Sequence, residues 1–164
     1  MWCDAIAKSD RPLHVTPISP AGTLMSIQAA LLPLFVQVAL TFAIGFWMAF
    51  GRVAAVRARK VHPREIALRE PSWPKHLMQL QNAFLNQFEM PVLFYALAIL
   101  ALFTKTADLL FVVPAWIFVA LRLGHAYVHV TSNRVTRRAL FFLAGAAVLC
   151  VMWIIFAIRI LSGT

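Results

Sequence analysis

The sequence predicts an all-α integral membrane protein, a bundle of four membrane-crossing helices. Of 164 residues, 62% are hydrophobic and 13% charged, whereas a water-soluble globule carries about a quarter charged residues. Four apolar runs, each near the roughly 20 residues that cross a bilayer as a helix, are separated by polar connections. The net charge of +9 is concentrated in two of those connections rather than spread along the chain. On a soluble fold such a surplus would suggest phosphate contacts with nucleic acid, but this composition leaves no soluble groove for them. No nucleic-acid partner is expected, and the lipid bilayer is the first partner.

Residues 1–23 combine Asp4, Lys8, Asp10 and Arg11 with Pro12, Pro17 and Pro20 and read as a disordered leader before a transmembrane domain over 24–164. No apolar segment of a signal peptide precedes Leu24. Met25, directly before the first apolar run, is a candidate start of translation. Helix one is expected from Ile27 to Phe50, where only Gln28, Gln37 and Thr41 interrupt the apolar run. Residues 51–76 follow, with Arg52, Arg57, Arg59, Lys60, Arg64, Arg69 and Lys75 against Glu65 and Glu70, and prolines at 63, 71 and 74. The positive-inside rule puts this linker on the cytoplasmic side. Its prolines predict a folded-back loop with room for one helical turn.

Helix two is expected from Lys75 or His76 to Phe103, kinked beside Glu89 because Pro91 removes one backbone hydrogen bond. Thr104–Asp108 forms a short outer loop. Helix three runs from about Ala107 to Val130, and the turn Thr131–Arg138 returns Arg134, Arg137 and Arg138 to the cytoplasmic side. Helix four covers about Thr136 to Leu161 and is charge-free from Ala139 to Ile158. Both termini then lie on the non-cytoplasmic side, and the minimal loops favour a bacterial inner membrane over an endoplasmic reticulum. Trp47, Trp116 and Trp153 suit lipid-facing or packing positions, and Arg159 suits a snorkelling anchor at the membrane end. Cys3 in the leader and Cys150 in mid-membrane cannot reach each other, which leaves Cys150 as a small core residue.

Two helices carry polar stripes where lipid-facing residues would be apolar. Asn82, Asn86 and Glu89 lie on helix two, and Arg122, His125 and His129 on helix three. At about 100° per residue each trio falls within roughly a 60° arc. The short outer loop makes the helices antiparallel, so the polar start of the first lies beside the polar end of the second. At about 1.5 Å per residue, Glu89 and Arg122 sit at matching depth, roughly 12 to 18 Å from a shared boundary. An ionisable group there costs at least about 2.5 kcal/mol on insertion scales and faces a partner or a cavity. Glu89 and Arg122 are natural partners. A pair serving only to fix helix register would not need the additional donors and acceptors of both asparagines and both histidines. His125 and His129, spaced i and i+4, could ligate zinc with Glu89 as a third ligand. Arg122 on the same face would repel the cation, so no metal is expected. The stripes suit an anionic, water-soluble ligand brought beside a lipophilic one.

Three short runs, Asn86-Gln-Phe-Glu89-Met-Pro91, Arg122-Leu-Gly-His125 and Arg138-Ala-Leu, together with Val56-Arg57-Ala-Arg59-Lys60 at the exit of helix one, resemble the membrane-associated proteins in eicosanoid and glutathione metabolism (MAPEG). The resemblance runs from about Leu24 to Leu161 with the motifs in order. It implies a homotrimer of four-helix subunits with glutathione, as co-substrate, bound between neighbours near the cytoplasmic face. It also implies that Arg57, Asn86, Glu89, Arg122 and His125 contact glutathione, Glu89 taking its amino group and the arginines its carboxylates. The stripe adds His129 to this binding set. Arg138 would lie near the sulfur as the catalytic residue, its fixed positive charge favouring thiolate over thiol. The chain departs from the commoner pattern with Leu85 in place of an arginine, Asn82 in place of a basic residue and His129 in place of a tyrosine. The function so implied is a membrane glutathione-dependent transferase or peroxidase acting on small lipophilic electrophiles. The alternative is a non-catalytic lipid-binding or scaffolding protein of the same fold, since the family includes such members.

Overall fold

The computed structural model describes residues 26–61 and 73–163. The leader at 1–23, the candidate start Met25 and the middle of the basic linker lie outside the described residues. Helix α1 (Ile27–Arg57) is followed by α2 (Lys75–Leu85), a 3-10 turn (Asn86–Phe88), α3 (Met90–Phe103), α4 (Leu109–Val130) and α5 (Val135–Ser162). With α2 through α3 taken as one interrupted span, four segments are long and apolar enough to cross a membrane, as expected from the sequence.

The first helix runs past Phe50 to Arg57, so the start of the basic linker is helix rather than loop. The reason is local. Residues 51–57 contain no proline and include Ala54 and Ala55, which favour helix. Termination comes only where Arg59 adopts a left-handed backbone, with φ 53°. There the Lys60 N–H closes on the carbonyl of Ala55 at 3.0 Å. Arg57 thus decorates the last turn, where a cation is favoured by the helix dipole.

The break expected beside Glu89 is deeper than a kink. Helix α2 ends at Leu85, residues Asn86–Phe88 tighten into a 3-10 turn, and Glu89 leaves helical geometry with ψ −98°. Pro91 sits in the first turn of α3, where its missing N–H costs little.

Helix α1 packs against α2, α3 and α4, while α5 packs against α4 and α3. Phe94, Leu97 and Ala101 of α3 meet Phe111, Ala115 and Phe118 of α4, with Leu149 and Met152 of α5 closing the cluster. The Phe94 and Phe118 rings lie 4.8 Å apart. In lipid, where burying apolar surface gives no hydrophobic gain, such packing works through close contact and interhelical hydrogen bonds. One such bond runs from Gln37 Nε2 to Gln87 Oε1 at 3.0 Å, between two fully buried amides. A Cβ on Gly51 would come within 2.6 Å of Leu77 Cδ2, so glycine sets how near α1 approaches α2.

Outward faces are apolar. Phe42, Phe46 and Phe50 form an exposed row along α1, and Trp47 and Trp116 also face out. Cys150 is exposed as well, which corrects its expected place in the core. Helix α5 buries only Gly145, Leu149 and Met152, a narrow stripe that Cys150, one residue from Leu149 and so about 100° away, misses. Arg159 does more than snorkel: its Nη2 donates to Asp108 Oδ2 at 2.7 Å and ties the end of α5 to the start of α4.

Candidate functional site

The two polar stripes meet. An open cleft of about 550 Å³ is lined by Asn82, Asn86 and Glu89 from the interrupted span, by His125 and His129 from α4, and by Arg138 and Phe142 from α5. Arg122 lies behind it, 1% exposed. Of the sequence-derived site residues, only Arg57 stands apart. It lines a separate depression with Arg52, Val56 and Trp73 at the end of α1.

Glu89 and Arg122 do not pair directly among the described contacts, contrary to the expectation of natural partners, because Asn86 stands between them. Arg122 Nη2 donates to both the backbone oxygen and Oδ1 of Asn86, each at 2.9 Å. Asn86 Nδ2 donates in turn to Glu89 Oε2 at 2.7 Å. The 3-10 turn accounts for this. On an α-helix residues i and i+3 are about 60° apart, whereas at three residues per turn they eclipse. Asn86 and Glu89 are thereby stacked, and the asparagine reaches both neighbours.

The Arg122 guanidinium is short of acceptors: its Nε and Nη1 are buried without a hydrogen-bond partner among the described residues. A cation so buried calls for an anion or for water. His125 and His129 are likewise 2% and 4% exposed, each with an unpartnered Nδ1. Their rings stand 5.5 Å apart, edge to face.

Helix α2 fixes the end of α4 from the other side. Gln79 Nε2 donates to the carbonyl of His129 at 2.6 Å and to that of Thr131 at 3.2 Å, bringing together the polar start of one span and the polar end of the next. The turn into α5 places Arg138. Asn133 takes a left-handed backbone, with φ 45°, a conformation asparagine tolerates better than most residues. Its N–H closes on Val128 O at 2.7 Å, and its Oδ1 accepts from Arg138 Nη1 at 2.9 Å. The same Nη1 meets His129 Nε2 at 3.1 Å. Asn133 escapes the stripe argument because it lies in a turn. Its only sequence signal is the turn propensity of Ser132-Asn133, which says nothing of its partner.

The cleft therefore has a donor-rich floor and one carboxylate at Glu89. Its other wall is apolar, from Val135, Ala139, Phe142 and Leu143, and Leu85 is also at its edge. The polar side suits a ligand with hydrogen-bond acceptors, and the apolar wall suits a lipid-soluble one.

No curated protein and no solved structure matches this chain. Among protein families, residues 30–158 match the MAPEG family, most of the chain and all four spans. The chain belongs to the MAPEG family.

Proposed function

We propose that the protein is a membrane glutathione-dependent transferase or peroxidase acting on small lipophilic electrophiles. The observation that carries this reading is the incomplete bonding of Arg122, a buried guanidinium lacking acceptors at Nε and Nη1 behind a cleft that holds Glu89 and Arg138. A glutathione carboxylate supplies the missing negative charge, and Glu89 takes the amino group. Arg138 lies near the sulfur and favours the thiolate, since a neighbouring fixed cation lowers a thiol pKa from its free value of about 8.5. The thiolate attacks an electrophilic carbon, forming the C–S bond as the carbon's leaving group or π-electrons depart. A lipid hydroperoxide is attacked at oxygen instead, with cleavage of the O–O bond and later reduction of the sulfur by a second thiol.

Three copies form the working unit, with Arg57 of one copy completing the site of its neighbour. The basic end of α1 and the basic start of α5 face the cytoplasm, so glutathione enters from water and the electrophile from the bilayer. A bacterial inner membrane suits the minimal loops.

The test is calorimetric titration of the detergent-solubilised protein with glutathione. Saturable binding, weakened at least tenfold in Glu89→Gln and lost in Arg122→Gln, supports the reading. No binding at millimolar glutathione overturns it. One observation favours a second reading, a non-catalytic lipid-binding or scaffolding protein: Leu85, half exposed, puts an apolar side chain at the cleft edge, at the position where the family resemblance leads to an arginine. Binding of fatty acyl ligands with no glutathione binding would select it.

A further inference from the structure

His129 and Arg138 approach each other in a way that fixes the state of both. An arginine side chain keeps its proton at any accessible pH and can only donate. The contact of Arg138 Nη1 with His129 Nε2 at 3.1 Å therefore requires Nε2 to accept. His129 must be the neutral tautomer with its proton on Nδ1, the nitrogen that is buried without a partner. Asn133 Oδ1, at 2.9 Å, takes the other hydrogen of Nη1. Both hydrogens on one guanidinium nitrogen are thus occupied. Those on Nη2 and Nε have no protein acceptor among the described residues and remain for a ligand in the cleft. The ring is itself held, since Gln79 anchors the His129 carbonyl at 2.6 Å and His125 packs edge-on against it.

We propose that His129 is a positioning residue for Arg138. As a neutral imidazole it accepts from the guanidinium and, with Asn133, aims it along the cleft, so that arginine-assisted ionisation of a bound thiol ends when His129 takes up a proton. Protonation converts the acceptor into a donor and sets two cations against each other at hydrogen-bond distance. The charged and titratable groups around His129 are Arg138 from α5, Glu89 from the interrupted span, and Arg122 and His125 from its own helix. The only carboxylate among them, Glu89, accepts from Asn86 through Oε2 and makes no hydrogen bond or ion pair with His129 or Arg138 among the described residues. Nothing in this set replaces the lost acceptor, and Arg138 swings away with one of its two anchors gone. The clamp stands on the geometry alone, whereas its effect on a thiol rests on the function proposed above.

Two measurements separate these levels. Nitrogen NMR of the histidine-labelled, ligand-free protein in detergent, with His129→Gln to assign the signal, reads the clamp directly. The expected result is a non-protonated Nε2 at neutral pH whose shift changes in Arg138→Ala. A protonated Nε2, or a signal indifferent to Arg138→Ala, overturns the proposal. Ultraviolet absorbance of bound glutathione thiolate across pH then reads the consequence. His129→Leu should raise the midpoint by about one pH unit, a tenfold loss of thiolate at fixed pH. His129→Gln, which restores a neutral acceptor, should recover most of that loss and remove the extra proton uptake on the acid side. A His129→Leu curve matching wild type, while Arg138→Ala loses the signal, overturns the positioning role. If wild type shows no thiolate, it is the glutathione reading that fails, and the NMR result decides the clamp.

Discussion

Asn86 is the residue on which the site turns. It accepts twice from Arg122 and donates once to Glu89, so it neutralises nothing yet keeps the two charges apart. An aspartate there would be a direct counter-ion for Arg122. Asn86→Asp is therefore expected to raise the melting temperature in detergent while weakening glutathione binding at least tenfold, because the internal carboxylate competes with the ligand's. Thermal unfolding and titration on the same preparation check this, and tighter binding would contradict it. The chemistry of the stripes was legible in the sequence, since asparagine, glutamate, arginine and histidine stand out in apolar runs. Their pairing was not. Whether Arg122 meets Glu89 or Asn86 depends on rotations of tens of degrees that spacing on an ideal helix does not fix.

The interruption in the second span sets those rotations. Pro91 made a disturbance beside Glu89 foreseeable, but not that it takes the form of a 3-10 turn that eclipses Asn86 and Glu89. Pro91→Ala restores a donor for Gln87 O and allows α2 and α3 to join. The expected outcome is a more continuous helix, with slower amide exchange at 87–91, and glutathione affinity reduced several-fold as Glu89 turns out of register. Faster exchange would count against the account. The basic stretch after Phe50 shows the converse. Its prolines suggested a loop throughout 51–76, yet all three come after residue 62, and residues 51–57 ahead of them satisfy helix propensity and continue α1.

For the assembled bundle, the end away from the cleft is closed by Asp108 and Arg159, whose side chains are 22% and 24% exposed. Burial by itself opposes charge on Asp108, but the hydrogen bond and positive charge of Arg159 and the Phe111 N–H together hold its carboxyl below the usual carboxylate range. A group whose pKa is depressed on folding contributes stability above its unfolded value, about 3.9, and loses it as pH falls through the lower folded value. Wild type should therefore lose more melting temperature than Asp108→Asn below about pH 4, with the variant less stable by about 0.5–1 kcal/mol at neutral pH. Equal acid sensitivity would remove the pair from the account. The proposed trimer bears on Arg57, which lies outside the cleft of its own chain. Native mass spectrometry should give three copies, and Arg57→Ala should weaken glutathione binding several-fold. A monomer, or binding indifferent to Arg57, would leave the cleft to a single chain.

The sequence by itself determined the class, the four spans, the place of the break and the identity of the polar residues. Each follows from composition, from length against bilayer thickness and from the missing N–H of one proline. Tertiary structure alone decided the partners: Asn86 between Arg122 and Glu89, Asn133 and His129 on Arg138, Asp108 on Arg159, and Cys150 on the outer face. Those contacts join residues on different elements, and their formation is set by how helices rotate and approach one another, which a periodicity along one chain does not encode.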